Sequence, residues 1–190
     1  MPQLATAAPI HVAPATSNSW LKRYYAVRAA VSFLWVALAF TIGRSNPAIG
    51  NVLLIAYPLW DSLANFVDAK RSGGLRANPT QFLNTVVSAI VAVAVIFTLR
   101  HDFHVAIGII GIWAGLSGLL QLLTGQRRRR TAGAQWPQML SGAQSAAAGA
   151  HFILQAADPS LALSVAIVAP YAAFGAVYFA ISAGVLAFRR

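Results

Sequence analysis

Arg28 and Asp61 ask the most of the protein around them, because each lies within a long apolar run of this 190-residue chain. A charge inside a membrane span costs about 2.5–3.5 kcal/mol on insertion scales and is usually paired or functional. Arg28 follows Arg23 by five residues and Asp61 precedes Asp68 by seven. At a helical rise of about 1.5 Å per residue, both fall about 7–10 Å inside the same boundary. Two arrangements satisfy them. In one they form an ion pair bridging two helices, with Asn84 and Ser117 as a weakened polar version further along the chain. In the other, Arg28 reaches back to lipid phosphates while Asp61 bonds to Ser62 or Asn65 close by. An ion pair here serves either structure or transport.

Other polar residues extend these alternatives. Asn84, Gln121 and His151 fall in apolar runs; they either line a polar route or relay, or hydrogen-bond individually to neighbouring helices, as Gln144 and Gln155 also would. His101, Asp102 and His104 stand together as HDFH in a short turn. Histidine titrates most readily between about pH 5 and 8, so the turn is either a pH sensor or a plain solvated loop. No phosphate loop, catalytic carboxylate pair, zinc-ligand spacing or serine triad accompanies these residues. With four Asp and no Glu, and no cysteine, material for acid–base or thiol chemistry is scant. The expectation is a protein that is no enzyme and uses no cofactor or metal.

What positions these residues is a set of long apolar segments. The chain is 58% hydrophobic and 9% charged, whereas soluble domains average about 45–50% apolar and about 25% charged. Spans are predicted over about 24–42, 48–67, 82–99, 105–124, 136–157 and 161–188, lengths that match a hydrocarbon core of about 30 Å. The last is longer than crossing requires, which tilt or a bend at Pro170 would absorb. Residues 1–19, rich in Ala, Pro and Thr and containing His11, predict a flexible tail and no cleaved signal, leaving 20–190 as one six-helix transmembrane domain.

The net charge of +10 is arranged by side. With six spans, Lys22, Arg23, Arg28, Lys70, Arg71, Arg76, the arginines 127–130, Arg189 and Arg190 share one side, and only Arg44 and Arg100 fall on the other. That asymmetry places both termini in the cytoplasm, facing the lipid bilayer with anionic lipid as the partner of the basic side. Nucleic acid is not expected as a partner, since the basic residues border apolar spans. Trp20 and Trp136 read as interface anchors.

Two landmarks recur along the chain. Ser32, Ser88 and Ser145 are 56 and 57 residues apart, and the aromatics Tyr57, Trp113 and Tyr171 are 56 and 58 apart. Each aromatic is followed four residues later by a small or polar residue, Asp61, Ser117 or Gly175. A common period predicts three parallel repeats of a helical hairpin, over about 20–76, 77–133 and 134–190. Gly108, Gly111, Gly115 and Gly118 share one helix face, and Gly142 and Gly149 line another. Such smooth faces pack helices either within the bundle or between protomers of a homo-oligomer.

In its second and third repeats the chain resembles the HdeD-like membrane proteins, through GIIGIWAGLSGLLQLLTGQRRRR (108–130), WPQMLSGAQSAAAGAHFIL (136–154) and YAAFGAVYFAISAGVLAFRR (171–190). The first repeat departs from the pattern, with Asp61 in place of a small residue. The resemblance implies six helices in the cytoplasmic membrane of a bacterium, an association with acid or other stress, and no assigned enzyme activity. Two functions follow: a non-enzymatic stress-associated or membrane-organising protein, or a small carrier or channel for an ion, proton or small molecule.

Overall fold

Side chains on these helices are distributed inside out. The structure, a computed structural model, describes residues 17–188; His11, Arg189, Arg190 and the tail expected over 1–19, up to residue 16, lie outside them. Large apolar side chains face outward on every helix, among them Leu34, Val52, Ile90, Ile112, Leu154 and Phe174. Buried with the apolar core are Asp61, Asp68, Gln81, Asn84, Ser88, Arg128, Gln138 and Ser182. In water this arrangement would leave large apolar patches exposed. In lipid it meets the requirement that polar groups be satisfied by one another.

Among the described residues the protein is all-helical: α1 (Asn18–Leu38), α2 (Pro47–Arg71), α3 (Pro79–Thr98), α4 (Phe103–Arg128), α5 (Gln135–Ala156) and α6 (Ala169–Phe188). Helix starts follow from local chemistry. The Ser17 side chain accepts from the Trp20 amide and Asn46 from that of Ile49, while Pro47 and Pro79 open α2 and α3, where no helical partner for an N–H is needed. Gly73 and Gly74, both at positive φ, release the chain from α2. The Asn78 side chain then holds that loop by donating to the Ser72 and Gly74 carbonyls at 2.8 and 2.9 Å.

Two segments differ from their expected form. The first helix ends in a π-helical turn, Ala39–Gly43, where a Gly43 side chain would meet Leu53 and Val165 at 2.9 Å. The sixth span does not run unbroken from 161. Leu161–Ser164 are non-helical, Val165–Val168 form a 3-10 turn, and α6 starts at Ala169. Pro170 therefore sits in the first turn of α6, where its missing N–H costs nothing, and makes no mid-span bend.

Four segments are long and apolar enough to cross a membrane: Asn18–Gly43, Pro79–Thr98, Phe103–Arg128 and Val165–Phe188. α2 and α5 are of comparable length but less apolar, because Asp61, Ser62, Asn65 and Asp68 on α2, and Gln138, Ser141 and Ser145 on α5, form buried polar faces.

The helices close into a ring. The most extensive packing joins α4 with α5, α1 with α6 and α2 with α3; α3 with α4 and α5 with α6 follow, and α1 meets α2 sparingly. Glycine explains the tightest pair. A side chain at Gly118 would lie 2.6 Å from the Gly142 carbonyl, and one at Gly149 would lie 2.5 Å from the Gly111 carbonyl. These four glycines pair in antiparallel register, seven residues apart on each helix, and let the α4 and α5 backbones touch. Gly108 and Gly115 share the face without being required for their size: a side chain at Gly108 makes only ordinary contact with Ala156, and none lies within 4 Å of one at Gly115.

Gly118→Ala and Gly142→Ala are each expected to destabilise the protein by about 1–3 kcal/mol through overpacking. Gly115→Ala should be neutral. Thermal unfolding in detergent checks both, and a wild-type midpoint for Gly118→Ala would exclude the backbone contact.

Candidate functional site

The polar face of α2 carries two buried carboxylates, Asp61 and Asp68, seven residues and two helical turns apart. The Arg28 guanidinium donates from Nη2 to Asp61 Oδ1. Asp61 Oδ2 accepts from Asn84 Nδ2 at 3.1 Å and from the Ser88 hydroxyl at 3.0 Å. Those donors are themselves held: Ser117 donates to Asn84 Oδ1 at 2.7 Å, and Trp113 Nε1 donates to the Ser88 oxygen at 2.9 Å. Arg28 also donates to the Tyr24 hydroxyl at 3.0 Å and lies 4.3 Å over the Phe179 ring. A cation fixed between a carboxylate and an aromatic face in this way loses little by leaving water.

The second carboxylate is paired where a boundary was expected. Arg128, one of the four consecutive arginines, turns inward and donates to Asp68 at 2.8 Å, with both side chains buried. Trp20 Nε1 and the Ser72 hydroxyl donate to the other Asp68 oxygen, each at 3.2 Å. Trp20 is thereby a hydrogen-bond donor to the α2 acid and more than an interface anchor. Arg127 reaches Gln81 Oε1 at 2.7 Å. Spacing assigned the arginine run to the membrane surface as a block, but in a helix successive residues turn by about 100°, and Arg128 is the one aimed at α2.

At the level of Asp61 towards the helix centres, Tyr57, Trp113 and Tyr171 meet. Their ring centroids are 5.5, 6.1 and 6.3 Å apart, and all three pairs are edge to face, at 77°, 84° and 84°. Edge-to-face packing matches the positive rim of each ring to the negative face of the next. Trp113 is bonded to Ser88, and Ser32 and Ser145, the serines at the matching positions, are likewise buried. These are the residues that the 56- to 58-residue spacings relate. On the far side of this layer the interior is apolar, built from Leu54, Ile107, Ile110, Val165, Val168 and Ala172.

On the near side lies a polar cavity of about 60 Å³, lined by Arg28, Asp61, Asn84, Ser117, Gln121 and Gln138 and reaching Asp68, Arg128 and Gln135. That is room for a few water molecules. Gln121 donates to Gln138 at 2.9 Å, and Gln138 to Ser182 at 2.7 Å. Two donors on residues of this lining, Arg28 Nε and Arg128 Nη2, are buried without a hydrogen-bond partner.

His151 does not join Asn84 and Gln121. It is exposed on α5, its ring 6.2 Å from that of Phe152. Buried Ser145 and Phe152 mark the inward face two turns apart, and His151 is turned about 100° away from it. Of the HDFH residues, Asp102 and His104 come together, with His104 Nδ1 3.9 Å from Asp102 Oδ1. Asp102 caps α4 by accepting from the His104 and Val105 amides at 2.8 and 3.4 Å, His104 Nε2 lies 3.1 Å from the Leu161 carbonyl, and His101 is exposed. In the next turn, Ser160 donates to Asp158 from its hydroxyl and amide, which holds that carboxyl below the usual range. Sequence reasoning missed Tyr24, Asp68, Arg128 and Gln138 as cavity residues. For Asp68 and Gln81 a signal existed, the seven-residue step from Asp61 and the three-residue step to Asn84.

Residues 83–154 match a protein family described as a short repeat of unknown function, DUF308. The match runs from the first turns of α3 to near the end of α5. It takes in Asn84, Ser88, Trp113, Ser117, Gln138 and the four paired glycines, and leaves out Arg28 and Asp61. This fits a membrane repeat family without assigned activity. No curated protein and no solved structure matches the chain.

Removing one partner of a buried ion pair costs about 3–5 kcal/mol, because the other charge is stranded. Arg128→Met should therefore lower accumulation in membranes and the unfolding midpoint, and Asp68→Asn combined with Arg128→Met should regain most of both. For the first pair, Arg28→Asp and Asp61→Arg should each lose accumulation. The double exchange should recover part of it, since Asn84 can rotate its carbonyl oxygen towards an arginine. A double exchange no better than the singles would exclude the pairing.

Proposed function

We propose that this chain is a non-enzymatic integral membrane protein of six spans, folded as three helical hairpins with both ends in the bacterial cytoplasm. Its central cavity serves as the pathway of a small carrier or channel for a proton, an ion or a small molecule. The observation that carries this reading is the convergence of polar residues from several helices on one cavity that reaches the buried Asp61 carboxylate. Intramembrane ionisable residues facing such a cavity mark ion and proton pathways. Its volume of about 60 Å³ suits a proton or small ion with a few waters and excludes a drug-sized solute. The aromatic layer of Tyr57, Trp113 and Tyr171 closes it towards the apolar half and acts as the gate.

Six spans are supported by the outward apolar side chains of α2 and α5, such as Leu59, Leu63, Leu140 and Leu154. Three hairpins are supported by the hydrogen bond from Trp113 of α4 to Ser88 of α3 and by the meeting of the three period-related aromatics. A second reading, a membrane-organising protein with a role in acid or other stress, draws on the completeness of the Asp61 network, which needs no ligand to be satisfied.

Flux separates the two. Purified protein in vesicles carrying an internal pH-sensitive dye should collapse an imposed pH or ion gradient faster than empty vesicles. Asp61→Asn, which keeps the size of the side chain, should reduce that rate by roughly tenfold or more, about 1.4 kcal/mol or more in barrier. Equal rates for protein-containing and empty vesicles, across proton and alkali cation gradients, would exclude the pathway and leave the organising role. Topology has its own check, because the chain has no cysteine. In intact cells an impermeant maleimide should label Ser45→Cys and Ser160→Cys, and should label Arg76→Cys and Thr131→Cys only after permeabilisation.

A further inference from the structure

We propose that the groove between α1 and α2 is a binding site for one anionic phospholipid, with an acyl chain between the helices and the headgroup at Arg23. Of the contacts between helices adjacent in the ring, α1 with α2 is the sparsest. The gap it leaves is a groove of about 190 Å³, walled by Val27 on α1 and by Leu63, Ala64 and Val67 on α2, with Trp20 and Trp60 along it. Val27 and Leu63 are about half exposed on its rim, so the groove opens sideways to whatever surrounds the bundle. In a bilayer that surrounding is hydrocarbon, and an acyl chain fills the groove without leaving a void.

Charge selects the headgroup. Arg23 lines the groove, and Lys22, Lys70 and Arg71 are exposed at the same end. Arg71 lies 5.5 Å over the Trp20 ring, beside the groove mouth. The nearest carboxylate, Asp68, is buried and held by Arg128, so it offers no compensation at the surface. Each basic residue at such a surface draws the site towards an anionic leaflet.

Tyr24, Arg28 and Trp60 line this groove and the central cavity alike. A lipid seated there packs against the same Arg28 side chain that neutralises Asp61, which links the groove's occupancy to the ion pair. The site rests on the membrane orientation proposed above, with the basic end at the cytoplasmic leaflet.

The test uses the full chain extracted from vesicles of equal parts phosphatidylcholine and phosphatidylglycerol and weighed by native mass spectrometry. One phosphatidylglycerol per chain should be retained in preference to phosphatidylcholine. Val27→Trp, at a half-exposed rim position, should fill the groove and reduce retention by roughly tenfold. Arg23→Gln should remove the preference for phosphatidylglycerol, and Leu119→Trp, equally exposed on α4, should change nothing. Leu63→Trp gives the same reading from the opposite wall if Val27→Trp does not accumulate. Retention unchanged by the filling variants, or equal retention of the two lipids, would overturn the proposal. Flux without retained lipid would remove this site and leave the pathway; retained lipid without flux would do the reverse.

Discussion

A carboxylate buried among apolar helices can be neutralised only by the protein that buries it, and Asp61 sets that condition for the whole bundle. Its charge is met from α1 by Arg28 and its second oxygen from α3 by Asn84 and Ser88, so one residue of α2 fixes three helices at one depth. Asn84 and Ser88 are oriented in turn by Ser117 and Trp113 of α4. Breaking any member leaves a buried donor or acceptor without a partner, at about 1–3 kcal/mol each and more for the charges. Lipid offers no hydrophobic drive for helices to associate. Polar bonds of this kind and close backbone contact, as between α4 and α5, supply what water would have supplied.

The interior is accordingly divided across its length. On one side of Tyr57, Trp113 and Tyr171 it is close-packed and apolar; on the other it holds two ion pairs, a chain of amides and space for water. The sum of charge in the polar half is balanced, Asp61 and Asp68 against Arg28 and Arg128. Pairing spares each of these four charges the self-energy of an isolated buried ion. The three aromatics carry different polar groups towards it, two phenols and an indole, so the layer is similar in packing and unequal in chemistry.

Much of the helical architecture was legible because apolar length and the positions of Pro, Gly and Asn report directly on span and turn. The aromatic spacing was also informative, since Tyr57, Trp113 and Tyr171, related by it in sequence, pack against one another. What could not be read was which face of each helix looks inward. Arg128 sits in a run of identical residues and His151 in a run of small ones; neither context distinguishes a buried position from an exposed one. Gly108 and Gly115 lie on the same helix face as Gly111 and Gly118, but only on the seven-residue pair would a side chain strike the α5 backbone. That choice depends on where two helices cross, a property of the pair and not of either sequence. The polar faces of α2 and α5 lowered their apparent hydrophobicity for the reason that makes them central: they line the cavity.

The seating of α1 has a consequence for how the molecule is made. Although α2 follows α1 in the chain, the broad partner of α1 is α6, through Tyr25 stacked on Phe179 and Arg28 lying over the same ring. Of the six helices described, the one synthesised earliest thus has its main partner made latest. Until then α1 is held to α2 by the Arg28–Asp61 pair, the Trp20–Asp68 bond, and Trp35, which donates to the Leu53 carbonyl and stacks on Tyr57. The charges that an apolar helix is least able to tolerate are therefore part of what keeps it in place while the ring is still open, and the aromatic face of α6 is the clasp that closes it.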